Sequence, residues 1–121
     1  MNRTDSVELS SPGTFIVAHL VGAIDVANAA TVEEELLHAV PNTASGIIID
    51  LSDVSFMDSS GLRVLFVVDE RLRARQQALR LVLDEGSNLS RTLALVHMQD
   101  LVPICPDVAA AAAAPGLSAA T

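Results

Sequence analysis

Ile47 to Leu65 reads IIIDLSDVSFMDSSGLRVL and passes from a strand into a helix. Ile47-Ile48-Ile49 is apolar at consecutive positions, as in a strand covered on both faces. The polar patch Asp50 to Ser55 is expected to turn the chain, and Phe56-Met57 to bring it back inside. Asp58-Ser59-Ser60-Gly61 follows, and then an apolar run too long for a strand. Asp and Ser ahead of such a run mark a helix start, because their side-chain oxygens accept the free N–H groups of the first turn. Two serine hydroxyls therefore stand at a helix N-terminus close to the end of a core strand. A phosphate attached there is expected to meet unpaired N–H groups and the positive end of the helix dipole.

Downstream, the helix is expected to run to about Gln77. Leu62, Leu65, Val68 and Leu72 make its buried stripe, while Arg63, Val67, Glu70 and Ala74 fall near the opposite side. Val67, apolar among charges, is a candidate partner contact. Upstream, Val7 to Leu9 and Phe15 to Val21 read as strands, and the turn chemistry of Ser10 to Thr14 joins them into an antiparallel hairpin. Gly22-Ala23-Ile24 leaves the second strand. Asp25 is then expected to cap a helix over Val26 to Val40, where Ala29, Val32, Leu36 and Val40 recur at helical spacing and Glu33 to Glu35 form a solvated rim.

Past the central stretch, Leu79 to Leu83 is a strand, Asp84 to Ser87 a turn, and Asn88 to Val96 a helix with Leu89, Leu93 and Val96 inward. Leu101 to Ile104 makes a last strand, cut short by Pro103 and Pro106. Asp107 caps a helix through Ala109 to Ala114, and disorder is expected after Pro115-Gly116. The order β-β-α-β-α-β-α-β-α predicts an α/β fold. Its sheet is mixed but mostly parallel, with four to five strands, an N-terminal antiparallel hairpin and four helices. Residues 1–106 are expected to form a single domain, with 107–121 an Ala-rich helix and flexible tail.

A length of 121 residues suits one domain with its own core. Phe15, Phe56 and Phe66 are the only aromatic residues, so Val, Leu, Ile and Ala must fill that core. The net charge of −8 argues against nucleic acid and against an anionic membrane surface. No apolar run matches a bilayer span, and the N-terminus lacks a signal-peptide core. Cys105 is the single cysteine, so no internal disulfide forms and a cytoplasmic setting is expected. A serine hydrolase needs a base within reach of its hydroxyl. The sequence places none of His19, His38 and His97 beside Ser59. Cys105 and His97 have no metal-ligand spacing. Neither catalysis nor a cofactor is expected; the competing structural reading is that Asp58 and Ser59 merely cap a helix.

DLSDVSFMDSSGL, with LVGAID about thirty residues upstream, closely resembles the STAS domain of bacterial anti-sigma factor antagonists. Gly22-Ala23-Ile24-Asp25 matches one family signature and Asp58 to Leu62 the other, and the similarity runs from about Val7 to Ile104. The resemblance implies that Ser59 is phosphorylated, and that Asp25, Asp58, Ser60, Gly61, Arg63 and Val67 contribute to the partner-facing surface. The implied partner is an anti-sigma factor with an ATPase fold that is also the serine kinase. The unphosphorylated antagonist binds it and frees a sigma factor, phosphorylation breaks the complex, and a serine phosphatase resets it. The antagonist itself is expected to be a monomer or weak dimer. An alternative is a STAS accessory subunit of another complex, either a lipid-transport ABC ATPase or a stress-signalling scaffold. Lipid-transport subunits usually lack the intact Asp-Ser-Ser-Gly, so the antagonist reading is favoured. One departure stands out: Val96-His97-Met98 replaces the family's frequent Thr-Gly or Ser-Gly followed by Leu, so His97 falls where Gly would permit a positive-φ turn.

Overall fold

The computed structural model describes residues 8–10 and 15–114. In chain order its elements are β1 (Glu8–Ser10), β2 (Phe15–Ile24), α1 (Ala29–Ala39), β3 (Gly46–Met57), α2 (Ser59–Ala74), β4 (Ala78–Val82), α3 (Asn88–Leu95), a 3₁₀ turn (Met98–Asp100), β5 (Ile104–Cys105) and α4 (Val108–Ala113). Of the turn expected over Ser10 to Thr14, Ser10 belongs to β1, and residues 11–14, the start of the first strand at Val7 and the tail from Pro115 lie outside the described residues. The sheet order is β1-β2-β3-β4-β5, with β1 antiparallel to β2 and every other pair parallel.

Right-handed crossovers between successive neighbours carry their helices to one side of a sheet. Helices α1, α2 and α3 accordingly share one core with Ala18, Leu20, Ile47, Ile49, Leu79 and Leu81. The other face is covered by α4, whose fully buried Ala111 meets Phe15, Val17, Ile48 and Val82. A six-residue helix is too short to persist unaided. Asp107 caps its start by accepting the Ala110 N–H at 2.7 Å. The buried Arg80 closes its end, donating from Nη1 to the carbonyls of Ala111 (2.8 Å) and Ala112 (3.3 Å). The Arg80 guanidinium also lies 4.4 Å from the centre of the Phe15 ring, an attractive cation–π contact.

The polar patch Asp50 to Ser55 is not a turn, because β3 runs straight through it. Pairing with β4 stops at Asp50↔Val82, whereas pairing with β2 continues to Ile24↔Met57. Beyond Asp50, β3 pairs with only one strand among the described residues, and its polar side chains reflect that exposure. Gly22 to Ile24 likewise remain in β2, with register shifts at His19/Val21 and Gly22/Ala23 and a positive φ of 92° at Gly22. Together β2 and β3 outrun the sheet as a two-stranded ribbon.

Two helix boundaries also differ from expectation. Asp25 heads an Asx turn rather than capping α1: its Oδ1 accepts the Ala27 N–H, and its carbonyl accepts those of Asn28 and Ala29. Asn28 locks that turn, accepting the Asp25 N–H at 3.0 Å and donating to the Ala23 carbonyl at 2.9 Å. Helix α2 ends at Ala74, short of Gln77, in a Schellman closure with Gln76 at φ 62°. There the Gln77 N–H reaches the Leu72 carbonyl and the Gln76 N–H that of Arg73. Its buried stripe is Gly61, Val64, Leu65, Val68, Asp69 and Leu72, while Leu62 is only half-buried. Asp69 is held by Arg73 Nε at 3.0 and 2.9 Å, and Arg73 Nη2 donates to the Leu101 carbonyl. His97 takes up the left-handed turn, at φ 58°, so the exit from α3 survives without glycine. The last strand forms later than expected, at Ile104–Cys105.

Candidate functional site

The ribbon's end brings the two motif aspartates together. The Asp58 N–H donates to the Ile24 carbonyl at 3.3 Å, so β3 leaves the sheet beside the residue that precedes Asp25. Asp58 then adopts an extended conformation and caps α2, Oδ1 accepting the N–H groups of Ser60 (2.8 Å) and Gly61 (3.1 Å). A phosphate on Ser59 would therefore find these two first-turn donors already taken, contrary to the expectation of unpaired N–H groups there. It would meet a carboxylate instead.

Ser59 is the first residue of α2 and is exposed, whereas Ser60 is half-buried. Gly61 is buried and faces inward. A Cβ there would collide with Met57 Cγ and lie 2.7 Å from the Ile24 carbonyl oxygen, so glycine alone lets α2 press against the strand ends. Ser60, Arg63 and Val64 form one wall of a groove of about 300 Å³, faced by Val26, Ala29, Ala30 and Glu33. Arg63 is exposed. Val67 lies roughly 12 Å further along the axis from Ser59 and is half-buried, so it presents less surface than expected.

Phe56 does not return to the interior: it is 56 % exposed, while its neighbour Met57 is buried. Val26, just after Asp25, is 80 % exposed. These two apolar side chains flank the Asp25–Asp58 pair in the chain, where an inward Phe56 and a helical Val26 were expected. Strand geometry held the missing signal, since adjacent residues point to opposite faces and Phe56 and Met57 could not both turn inward. The histidines are occupied elsewhere. His19 Nε2 lies 2.6 Å from Asp53 Oδ2, His38 Nδ1 lies 3.1 Å from the Glu34 carbonyl, and His97 Nδ1 lies 3.7 Å from Asp100.

Among the described residues, no helix is long and apolar enough to cross a membrane. The family model for the STAS domain matches residues 6–111. The chain is 36% identical over 74 residues to the anti-sigma-F factor antagonist RsfB of Mycobacterium tuberculosis, covering 60% of this chain and 61% of RsfB. It thus spans under two thirds of the curated relatives it matches. An anti-sigma factor antagonist from Mycobacterium paratuberculosis superposes with a TM-score of 0.77 at 24% identity, over 88% of this chain and 89% of that one. The unphosphorylated form of SpoIIAA gives 0.64 at 21% identity, over 88% and 93%. The phosphorylated form of this Bacillus protein gives 0.62 at 18%, over 82% and 90%. At such identities the solved structures establish the fold alone, and the family model carries the assignment. The chain belongs to the STAS domain family.

Proposed function

We propose that this protein is an anti-sigma factor antagonist acting in the cytoplasm, switched by phosphorylation of Ser59. Unphosphorylated, it docks on an anti-sigma factor serine kinase and releases a sigma factor. In the switching step the Ser59 hydroxyl oxygen bonds to the γ-phosphorus of ATP, the bond to the β–γ bridging oxygen breaks, ADP leaves, and the hydroxyl proton passes to the kinase. A serine phosphatase hydrolyses the ester again. The observation that carries this reading is the exposure of Ser59 at the head of α2, beside the capping carboxylate of Asp58. That SpoIIAA, which shares the fold, exists in both forms supports it.

Magnitudes favour a surface block. The phosphoryl group adds about −1.5 to −2 charges at neutral pH. Helix dipoles return roughly 0.3–1 kcal/mol to an anion at their N-terminus, and the Asp58 carboxylate opposes even that. Neither effect rivals a domain stability of roughly 5–15 kcal/mol. At an interface, an uncompensated buried charge costs about 2–5 kcal/mol, and each 1.4 kcal/mol is about tenfold in affinity. Docking is therefore where the new charge is felt.

The test is incubation with ATP and candidate anti-sigma kinases, followed by mass spectrometry. Label is expected on Ser59 and retained in Ser60→Ala, and Ser59→Ala protein should trap the kinase in a pull-down. A bare Ser59 beside a kinase that binds regardless of nucleotide would overturn the reading. Stable association with an ABC ATPase or a stress-signalling scaffold would favour the accessory-subunit alternative.

A further inference from the structure

The first turn of α2 leaves little to neutralise a phosphoserine. The N–H groups of Ser60 and Gly61 already donate to Asp58. Among the described residues, the charged groups at this end of α2 are the carboxylates of Asp58 and Asp25, Glu33 across the groove, and one cation, Arg63. The sequence contains no lysine. The other described arginines are placed elsewhere: Arg73 is bound to Asp69 and the Leu101 carbonyl, Arg80 lies under α4, and Arg91 sits on α3 beside Asn88. Arg71 and Arg75 line the far end of the space between α1 and α2, next to His38.

We propose that Arg63 is the internal counter-ion of the switch, pairing with the phosphoryl group once Ser59 carries one. The inference rests on Ser59 as the acceptor and adds what becomes of the new charge. Residues four apart share one face of a helix, and helical side chains lean toward the N-terminus, so Ser59 lies one turn back within reach of Arg63. An acid preceding its base at this spacing is the favourable order, and the planar guanidinium fits a phosphate with two parallel hydrogen bonds. Arg63 is exposed and makes no ion pair among the described residues, so it is free to swing. The movement has a second effect. Arg63 lines the groove with Val26, Ala30 and Glu33, so pairing withdraws a cation that the unphosphorylated protein displays beside its docking surface.

The test installs phosphoserine at position 59 during synthesis, so that no kinase is needed, and follows its second ionisation by ³¹P NMR. Arg63→Gln is expected to raise that midpoint by about half a pH unit at low salt, the size of an exposed ion pair. Added salt should shrink the difference, and Arg63→Lys should recover most of it. In the unaltered chain, the Arg63 Nε–H resonance should move on phosphorylation. Superimposable titrations of the parent and Arg63→Gln, or an Arg63 resonance indifferent to the phosphate, would overturn the proposal. Failure of kinases to label Ser59 would count against the function and leave these readings as they stand.

Discussion

Gly61 shows how closely a single residue ties the switch to the fold. Its missing side chain lets α2 approach within contact of the Ile24 carbonyl and Met57. Gly61→Ala is expected to destabilise the domain by about 1–3 kcal/mol, the usual penalty for overpacking, read as a lower urea midpoint. Cys105 makes a second case. Burial pushes its thiol up, an effect that nearby Arg80 opposes and Asp107 reinforces. The unfolded chain therefore ionises first, so this contribution is whole below the ordinary thiol range and is lost as pH climbs toward the folded value. With neither tyrosine nor lysine in the sequence, Cys105 is the only side chain titrating between about pH 8 and 11. The urea midpoint should sag on passing from neutral to alkaline buffer, and Cys105→Ser should flatten that decline.

At the level of elements, the helix exits and the ribbon hold the surprises. His97 occupies a left-handed turn that an L-residue adopts at a cost. His97→Gly should raise stability by roughly 0.5–1 kcal/mol, the scale of backbone fit at such a site, visible as a higher melting temperature. Phe56, on the exposed ribbon, is expected to act on binding alone. Phe56→Ala should leave the urea midpoint unchanged and weaken kinase association about tenfold or more, as loss of an aromatic anchor does. Helix positions were legible because burial recurs at a fixed period, as at Ala29, Val32 and Leu36. Helix ends were harder: Gln76 and His97 do what glycine usually does, and Asn28 took the position assigned to Asp25. The ribbon was misread because a strand with one neighbour carries polar residues as a turn does, and only pairing distinguishes the two.

Across the whole molecule, the mostly parallel sheet with its antiparallel first pair followed from alternation of elements, whereas the order β1-β2-β3-β4-β5 is visible only in the structure. The clustering at the switch was partly legible. Local sequence places Asp58, Ser59 and Ser60 at a helix head, but only pairing of β2 with β3 brings Asp25 beside them. The contacts that Arg73 and Arg80 make with the Leu101 and Ala111 carbonyls had no sequence signal, because those partners are backbone groups of distant segments. The energies that one modified, exposed serine brings are too small to refold a domain of ordinary stability. Phosphorylated and unmodified protein should therefore differ in backbone amide shifts around Asp25, residues 58–64 and the facing turn of α1. Broad changes reaching β4 or α4 would show a refolding switch instead.

The carboxylate at position 58 holds two offices at once, closing the helix and standing as the negative neighbour of the acceptor hydroxyl. Drift to alanine would relieve the repulsion only by fraying the turn that displays Ser59. Divergence there is confined to the few short polar residues able to cap. Among them an isosteric amide would keep the architecture while making the modified state easier to tolerate, so shape and sensitivity can be separated at that one position.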